Sequence, residues 1–323
     1  METLTSLLSM ALIASAIRVT MPILLTALGA VYSERSGVVN IGLEGIMIMG
    51  TFFGAVGNYF FAQAFPGLVA GAPDLAPAAG VLAAVAAGVL FALIHALVTV
   101  TFRVNQIISG VALNLLAAGL ARFLNILLFT QSTQSPGVRG FTAIDIPLLR
   151  DIPRLAPLVR GISPMILLAL ALVIASQWVL LRTRFGLRLR AVGEYPLAAD
   201  TLGVGVARMR YAGVLLSGAL GGMAGAYLAI EQAHLYFEGM TQGRGYIALA
   251  AMIFGNWWPL GALGASALFG YFDALSLRVV RLPVPYQFIS VLPHIVTIFV
   301  LAGFVRRAQM PAADGVPYSK EEE

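Results

Sequence analysis

Charge in this sequence is confined to the gaps between long apolar runs, and that distribution limits what the chain can become. Charged residues make up 11% of 323 and hydrophobic residues 59%, where a soluble domain carries roughly 25% charged residues. The runs approach the ~20 residues that a helix needs to cross a bilayer. In hydrocarbon every backbone N–H and C=O must be satisfied inside the segment, so apolar runs of this length become helices. The chain therefore reads as an all-α polytopic membrane protein. Nine spans are expected, at about 17–32, 45–61, 76–101, 105–129, 165–181, 211–230, 244–257, 262–277 and 288–305, the first preceded by an interfacial helix. Residues 1–308 form the transmembrane domain and 309–323 a polar tail.

The gap richest in charge is 182–210, with Arg182, Arg184, Arg188, Arg190, Arg208 and Arg210. Arginines beside spans mark the cytoplasmic face. Counting spans from this gap puts the N-terminus outside and the Arg306-Arg307 end in the cytoplasm. The same parity puts 131–162 outside, despite Arg139, Arg150, Arg154 and Arg160. Within the gap, Pro196 suits the first position of a helix and Gly203 the left-handed residue beyond its end. Between them lies a helix of about two turns, too short to cross. Geometry alone leaves open whether this helix docks onto another protein or only connects two spans.

Several activities are excluded. The net charge of +5 comes from arginines flanking apolar runs, with no basic face interleaved with aromatics for nucleic acid. There is no cysteine, so neither disulfides nor thiolate metal sites are expected. Three histidines without an H-E-x-x-H give no zinc protease. The single lysine, Lys320, lies outside any G-K-[ST], so the chain has no Walker A loop and its energy must come from a partner. No cofactor or metal is expected. The first 17 residues lack the basic start of a signal peptide.

Polar residues inside apolar runs are the candidate pathway. A charged side chain at mid-bilayer costs about 2.5–3.5 kcal/mol on insertion scales, so Glu44, in a stretch with Asn40 and three glycines, should face protein or a watery cavity. An interrupted helix lining a path and a tightly packed crossing both fit. In the fourth run Gln106, Ser109 and Asn114 share one broad side with Asn105 at its start, which suits a wet cavity or interhelical hydrogen bonding. His95 reads as a packed residue rather than a proton relay. Gly218/Gly222 and Gly221/Gly225 have the G-x-x-x-G spacing that lets helices approach closely. Gly243-Arg244-Gly245 could open a half-helix whose positive end faces the path. Ser217 with His294 could suggest an intramembrane serine protease, but only a Ser-Gly pair supports it.

The loop sequence Arg190-Ala191-Val192-Gly193-Glu194, with Ala198-Ala199 and Gly203, resembles the coupling-helix loop of bacterial ABC-importer permeases. The specific group is the one that moves branched-chain amino acids, simple sugars and nucleosides. Ser36-Gly37-Val38-Val39-Asn40-Ile41-Gly42-Leu43-Glu44-Gly45 looks like its signature. Asn105-Gln106-Ile107-Ile108-Ser109-Gly110 with Asn114, and Gly243-Arg244-Gly245-Tyr246-Ile247-Ala248-Leu249-Ala250 with Phe254-Gly255 and Pro259-Leu260-Gly261, look like the nucleoside (guanosine-type) branch. The resemblance implies a type II-like importer permease that is not itself an enzyme. Its implied partners are an ATP-binding subunit, an extracytoplasmic substrate-binding lipoprotein and a second, paralogous permease. It also implies coupling through Gly193, Glu194, Pro196, Ala198, Ala199 and Gly203, and a pathway past Asn40, Glu44, Asn105, Ser109 and Asn114. Simple-sugar or branched-chain amino acid import is the alternative within the group, and an ion-coupled transporter using Glu44 the alternative outside it.

Overall fold

Side chains at the run boundaries do much of the work of starting helices. Asn105 Oδ1 accepts from the Ile107 and Ile108 N–H groups at 2.9 and 3.2 Å. Ser163 Oγ accepts from Met165, with Pro164 at the first helical position, and Thr183 Oγ1 accepts from Gly186 at 3.1 Å. Each supplies an acceptor for an N–H that the helix itself cannot satisfy.

A computed structural model describes residues 10–130, 133–145, 161–279 and 309–319. Its elements are helices: α1 Met10–Glu34, α2 Leu43–Ala64, α3 Pro66–Gly71, α4 Leu75–Ala96, α5 Gln106–Phe129, α6 Pro164–Arg182, α7 Arg184–Glu194, α8 Pro196–Thr201, α9 Val206–Ala226, α10 Arg244–Phe254 and α11 Pro259–Val279. α4 and α9 continue as π-helical turns, Leu97–Thr101 and Tyr227–Ala233. Among the described residues β structure is limited to two isolated bridges.

Six helices are long and apolar enough to cross a membrane: α1, α2, α4 with its extension, α5, α6, and α9 with its extension. The expected count of nine is not reached among the described residues. The seventh expected span is α10, whose 11 residues rise only about 16 Å against a hydrocarbon core of about 30 Å. The eighth corresponds to α11, and the ninth, 288–305, lies outside the described residues. α1 is already helical at Met10, ahead of the expected start at 17, and its Leu12 and Ala16 pack against Ala274 of α11.

α9 sits at the centre. The apolar window of α9 is 78% buried, against 28% for α5. Its glycines touch different neighbours. A side chain at Gly218 or Gly222 would overlap the Gly88 or Ala84 carbonyl of α4, and one at Gly225 would overlap the Met47 carbonyl of α2. Gly213 lies against Tyr32 and Ser36 at the end of α1. The two G-x-x-x-G pairs thus serve two separate interfaces.

The bundle has two distinct ends. One carries the arginine-rich α7–α8 hairpin, the end of α1 and the turn after α10. At the opposite end, residues 133–142 form a strap. Its Ser135 and Val138 N–H groups donate to Tyr236 and His234 carbonyls at 2.8 and 2.7 Å. Its Phe141 N–H donates to Glu231, and Asn58 donates to the Arg139 carbonyl at 2.7 Å. A cleft of about 490 Å³ under this strap is lined by Asn58, Tyr59, Gln63, Val69 and Arg139.

The glycine contacts predict a contrast between substitutions. Gly218→Val should destabilise the purified protein by about 1–3 kcal/mol or more through overpacking. Gly119→Ala, at a position in α5 with open space around it, should be neutral or stabilising by up to about 1 kcal/mol. Melting temperatures in detergent check both.

Candidate functional site

Two clusters contain the residues singled out by sequence: a buried polar junction inside the bundle and the hairpin at the arginine end. The junction starts where α1 stops. Gly37, at φ +85°, turns the chain, and Ser33 Oγ donates to the Val38 carbonyl at 2.6 Å. Residues 38–42 then run beside the start of α5, with Gly42 and Gly110 in close contact.

Asn114 ties three elements together. Its Oδ1 accepts from Gly45 N–H at 2.7 Å, and its Nδ2 donates to the Ile41 carbonyl at 3.0 Å and the Tyr246 hydroxyl at 2.9 Å. Glu44 lies in the first turn of α2 and reaches the start of α10. Oε1 accepts from Thr241 Oγ1 at 2.6 Å and Gly243 N–H at 3.1 Å, and Oε2 accepts from Gly245 N–H at 2.7 Å. One carboxylate therefore caps the half-helix anticipated at Gly243-Arg244-Gly245, on the end where the helix dipole favours negative charge. The glycine at 245 is required, because a side chain there would meet Glu44 at 2.6–2.7 Å.

Ser109 and His95 complete the junction. His95 Nε2 lies 3.1 Å from the Val39 carbonyl, which can only accept, so Nε2 carries the proton and Nδ1 accepts from the Ser109 hydroxyl at 2.9 Å. His95 is fully buried with both nitrogens engaged. Asn40 donates to Ser217 Oγ at 3.0 Å, while its buried Oδ1 has no partner among the described residues. Asn40, Glu44, Ser109 and Asn114 thus belong to one junction, and Asn105 caps α5 at its edge. Ser217 is held by Asn40, and His294 lies outside the described residues. Apart from Asn40 Oδ1, these groups are met by protein donors and acceptors, so the junction braces the starts of α2, α5 and α10 against one another.

At the hairpin, Pro196 opens α8 and Gly203, at φ +80°, follows its end. α8 is six residues long, slightly under two turns. Ala199 faces inward at 4% exposure, whereas Tyr195 and Leu202 project at 63% and 84%. Ala198 is half-buried behind them. The preceding arginines form α7, which reading the sequence as a loop missed. Buried Leu189 and Val192 supply its inner face and Thr183 its cap.

Gly193 lies so close to the Arg35 carbonyl that a side chain would overlap it, and Glu194 pairs with Arg35 at 3.7 Å. Arg35 itself was not signalled by any motif. Its guanidinium donates to the Trp257 and Asn256 carbonyls at 2.9 and 3.2 Å and covers the Trp258 ring at 4.4 Å. Glu34, beside it, accepts from Trp257 Nε1 at 2.6 Å. Burial pulls the Arg35 pKa down, and the Glu194 carboxylate partly offsets that.

Residues 12–301 match the family described as branched-chain amino acid transport system / permease component. The chain belongs to that family. It is 46% identical over 304 residues to the guanosine ABC transporter permease protein NupQ of Bacillus subtilis, and 41% identical over 304 residues to the nucleoside ABC transporter permease protein NupC of Lactococcus lactis subsp. cremoris. Each alignment covers 93% of both chains. The putative glucose ABC transporter permease protein TsgC13 of Haloferax volcanii is 36% identical over 265 residues, covering 79% of this chain and 74% of its own. No solved structure matches. The protein is a membrane permease, a transporter subunit rather than an enzyme.

In this permease the bond network around Glu44 predicts a stability effect. Glu44→Gln replaces one acceptor oxygen by a donor facing N–H groups, and should cost about 1.5–3 kcal/mol. Thermal unfolding in detergent, compared with Ser109→Ala, checks it; equal melting temperatures would show that the cap contributes little.

Proposed function

We propose that the protein is one transmembrane subunit of an ATP-driven nucleoside importer. The names of NupQ and NupC support the substrate class, and family membership supports the partners: an ATP-binding subunit, a substrate-binding protein and a second permease, read as a paralogue. The second permease and lipid would share the apolar face of α5, where Ile108, Leu115 and Leu127 are exposed. The arginine-rich end is the cytoplasmic one by the positive-inside rule, which puts the N-terminus outside and the C-terminus in the cytoplasm. The permease domain is 1–308, with its coupling loop at 182–210 and a tail at 309–323.

The observation that carries the mechanism is the direct contact of Gly193 and Glu194 with Arg35. ATP-driven closure of the partner subunits pushes Tyr195 and Leu202 on α8. α7 passes the push to Arg35 and so to the turn preceding α2. Asn40, Glu44 and Asn114 then carry α2, α5 and α10 together, opening or closing the path beside them. The cleft under the 133–142 strap supports an outer entrance, where the binding protein would land.

Sugar import stays the second reading within the family, favoured by TsgC13. An ion-coupled carrier has less support, since the Glu44 oxygens already accept three hydrogen bonds.

In cells carrying the whole importer, labelled guanosine uptake should cease when the ATP-binding subunit is inactivated; persistent concentrative uptake would remove the proposal. Leu202→Glu should lower uptake about tenfold or more, the size of a lost coupling free energy of 1–3 kcal/mol, with membrane levels unchanged on immunoblots.

A further inference from the structure

The segment after the described helices is polar, which suggests a solvated tail, yet residues 309–319 lie in a groove at the arginine end. Gln309 N–H donates to Asn256 Oδ1 at 2.8 Å, just past α10. Ala312 and Ala313 N–H groups donate to Glu194 Oε2 at 3.2 Å and the Gly193 carbonyl at 2.9 Å. Tyr318 packs on Val192, Ala199 and Val206, and its hydroxyl bonds Asp200 of α8 at 3.1 Å. Between these contacts, a turn with Gly315 at φ +78° drives Asp314 inward to 6% exposure.

Asp314 sits near the Glu34 carboxyl and the charge of Arg210, and neither of its buried oxygens has a hydrogen-bond partner among the described residues. Burial, then the Glu34 carboxyl beside it, pushes Asp314 up to about 9. Two neighbouring buried carboxyl groups are compatible when they hold one proton between them, as paired carboxyls elsewhere do. Arg210 is 2% exposed, with Nε and Nη2 lacking hydrogen-bond partners among the described residues. One proton on the acid pair leaves a single negative charge to balance that guanidinium. An aspartate placed inside in this way does not belong to a free tail.

We infer that residues 309–319 are a built-in clamp, which holds the α7–α8 hairpin to the ends of α1, α9 and α10 so that they move as one body. Asp314 and Tyr318 are its positioning residues. The inference rests on the coupling reading of the hairpin. Glu194 shows the arrangement in small: one carboxylate oxygen faces Arg35 of the bundle and the other holds the tail.

The test uses the complete importer in cells. Ending the chain at Ala308 should leave the permease in the membrane and the ATP-binding subunit's basal hydrolysis in place, while guanosine uptake falls about tenfold or more. Asp314→Lys should do the same, whereas Asp314→Asn, isosteric with the protonated acid, should keep uptake near wild type. Truncation without loss of uptake would overturn the clamp, as would equal loss in the Asn and Lys variants. If the truncated chain does not insert, a second measurement decides. The chain has no cysteine, so Asp200→Cys with Tyr318→Cys can be bridged by a bis-maleimide. Bridging should maintain or raise uptake relative to the same unbridged protein, and loss of uptake on bridging would mean that the tail must leave α8. Separately, wild-type uptake by Leu202→Glu would overturn the coupling reading whatever the tail variants do.

Discussion

The close approach of backbones along α9 is the constraint on which the rest depends. Lipid tails are as apolar as leucine, so helices in a bilayer gain little by hiding hydrophobic surface from one another and associate through close packing instead. Here that packing is made at glycines: Gly218 and Gly222 against α4, Gly225 against α2 and Gly213 against α1. No side chain lies between the backbones to yield, so a displacement of α9 is felt by three neighbours at once. α9 also follows the hairpin directly in the chain, starting at Val206 three residues after Gly203. The hairpin proposed to receive force and the element that holds the core are thus consecutive.

The polar junction solves a different problem at the same depth. A carboxylate within a membrane domain is unfavourable unless its hydrogen bonds are met, and α10 begins inside the bundle with N–H groups that need acceptors. Glu44 answers both needs. Because α10 lacks the length to cross, its start is anchored by α2 through Glu44, by α5 through Asn114 and Tyr246, and by α11 through the Arg244–Asp273 pair at 3.2 Å. Its other end turns at Trp257 into contact with Glu34 and Arg35. A half-helix held at both ends by charged groups from other elements is suited to carrying motion from a contact at the arginine-rich end to the bundle interior.

Much of this was legible in the sequence, for local reasons. Span edges at Thr101, Asn105, Phe129 and Arg182 follow from apolar runs and capping residues. The two glycine pairs and the Pro196–Gly203 helix follow from spacing and backbone preference. Glu44 and Asn114 stood out because polar groups in apolar runs need partners, but the partners were not readable. Thr241, Gly243 and Gly245 lie about two hundred residues beyond Glu44, and no spacing rule reaches that far. α7 was hidden by its arginines, which suggest a loop until the inward Leu189 and Val192 are set on one face. The seventh expected span is the one that differs: apolar composition matched a crossing helix, but α10 stops after 11 residues at the turn through Asn256–Trp257.

Arg35 decides whether the hairpin can slide over the bundle or must move with it. Its guanidinium is held by two backbone carbonyls of the α10–α11 turn, the Trp258 ring and Glu194, with its side chain only 8% exposed. Pulling Glu194 away would leave a buried cation with carbonyl and ring partners but no anion, and uncompensated buried charge is among the costlier defects in a protein. Sliding is further blocked at Gly193, whose backbone already touches that of Arg35 with no room for a β-carbon. The lower-energy response to a push on α8 is therefore movement of the hairpin, the α1 end and the Trp257 turn as a unit. On the proposed coupling, the deformation would reach residues 38–42, where Asn40 keeps an oxygen without a partner among the described residues.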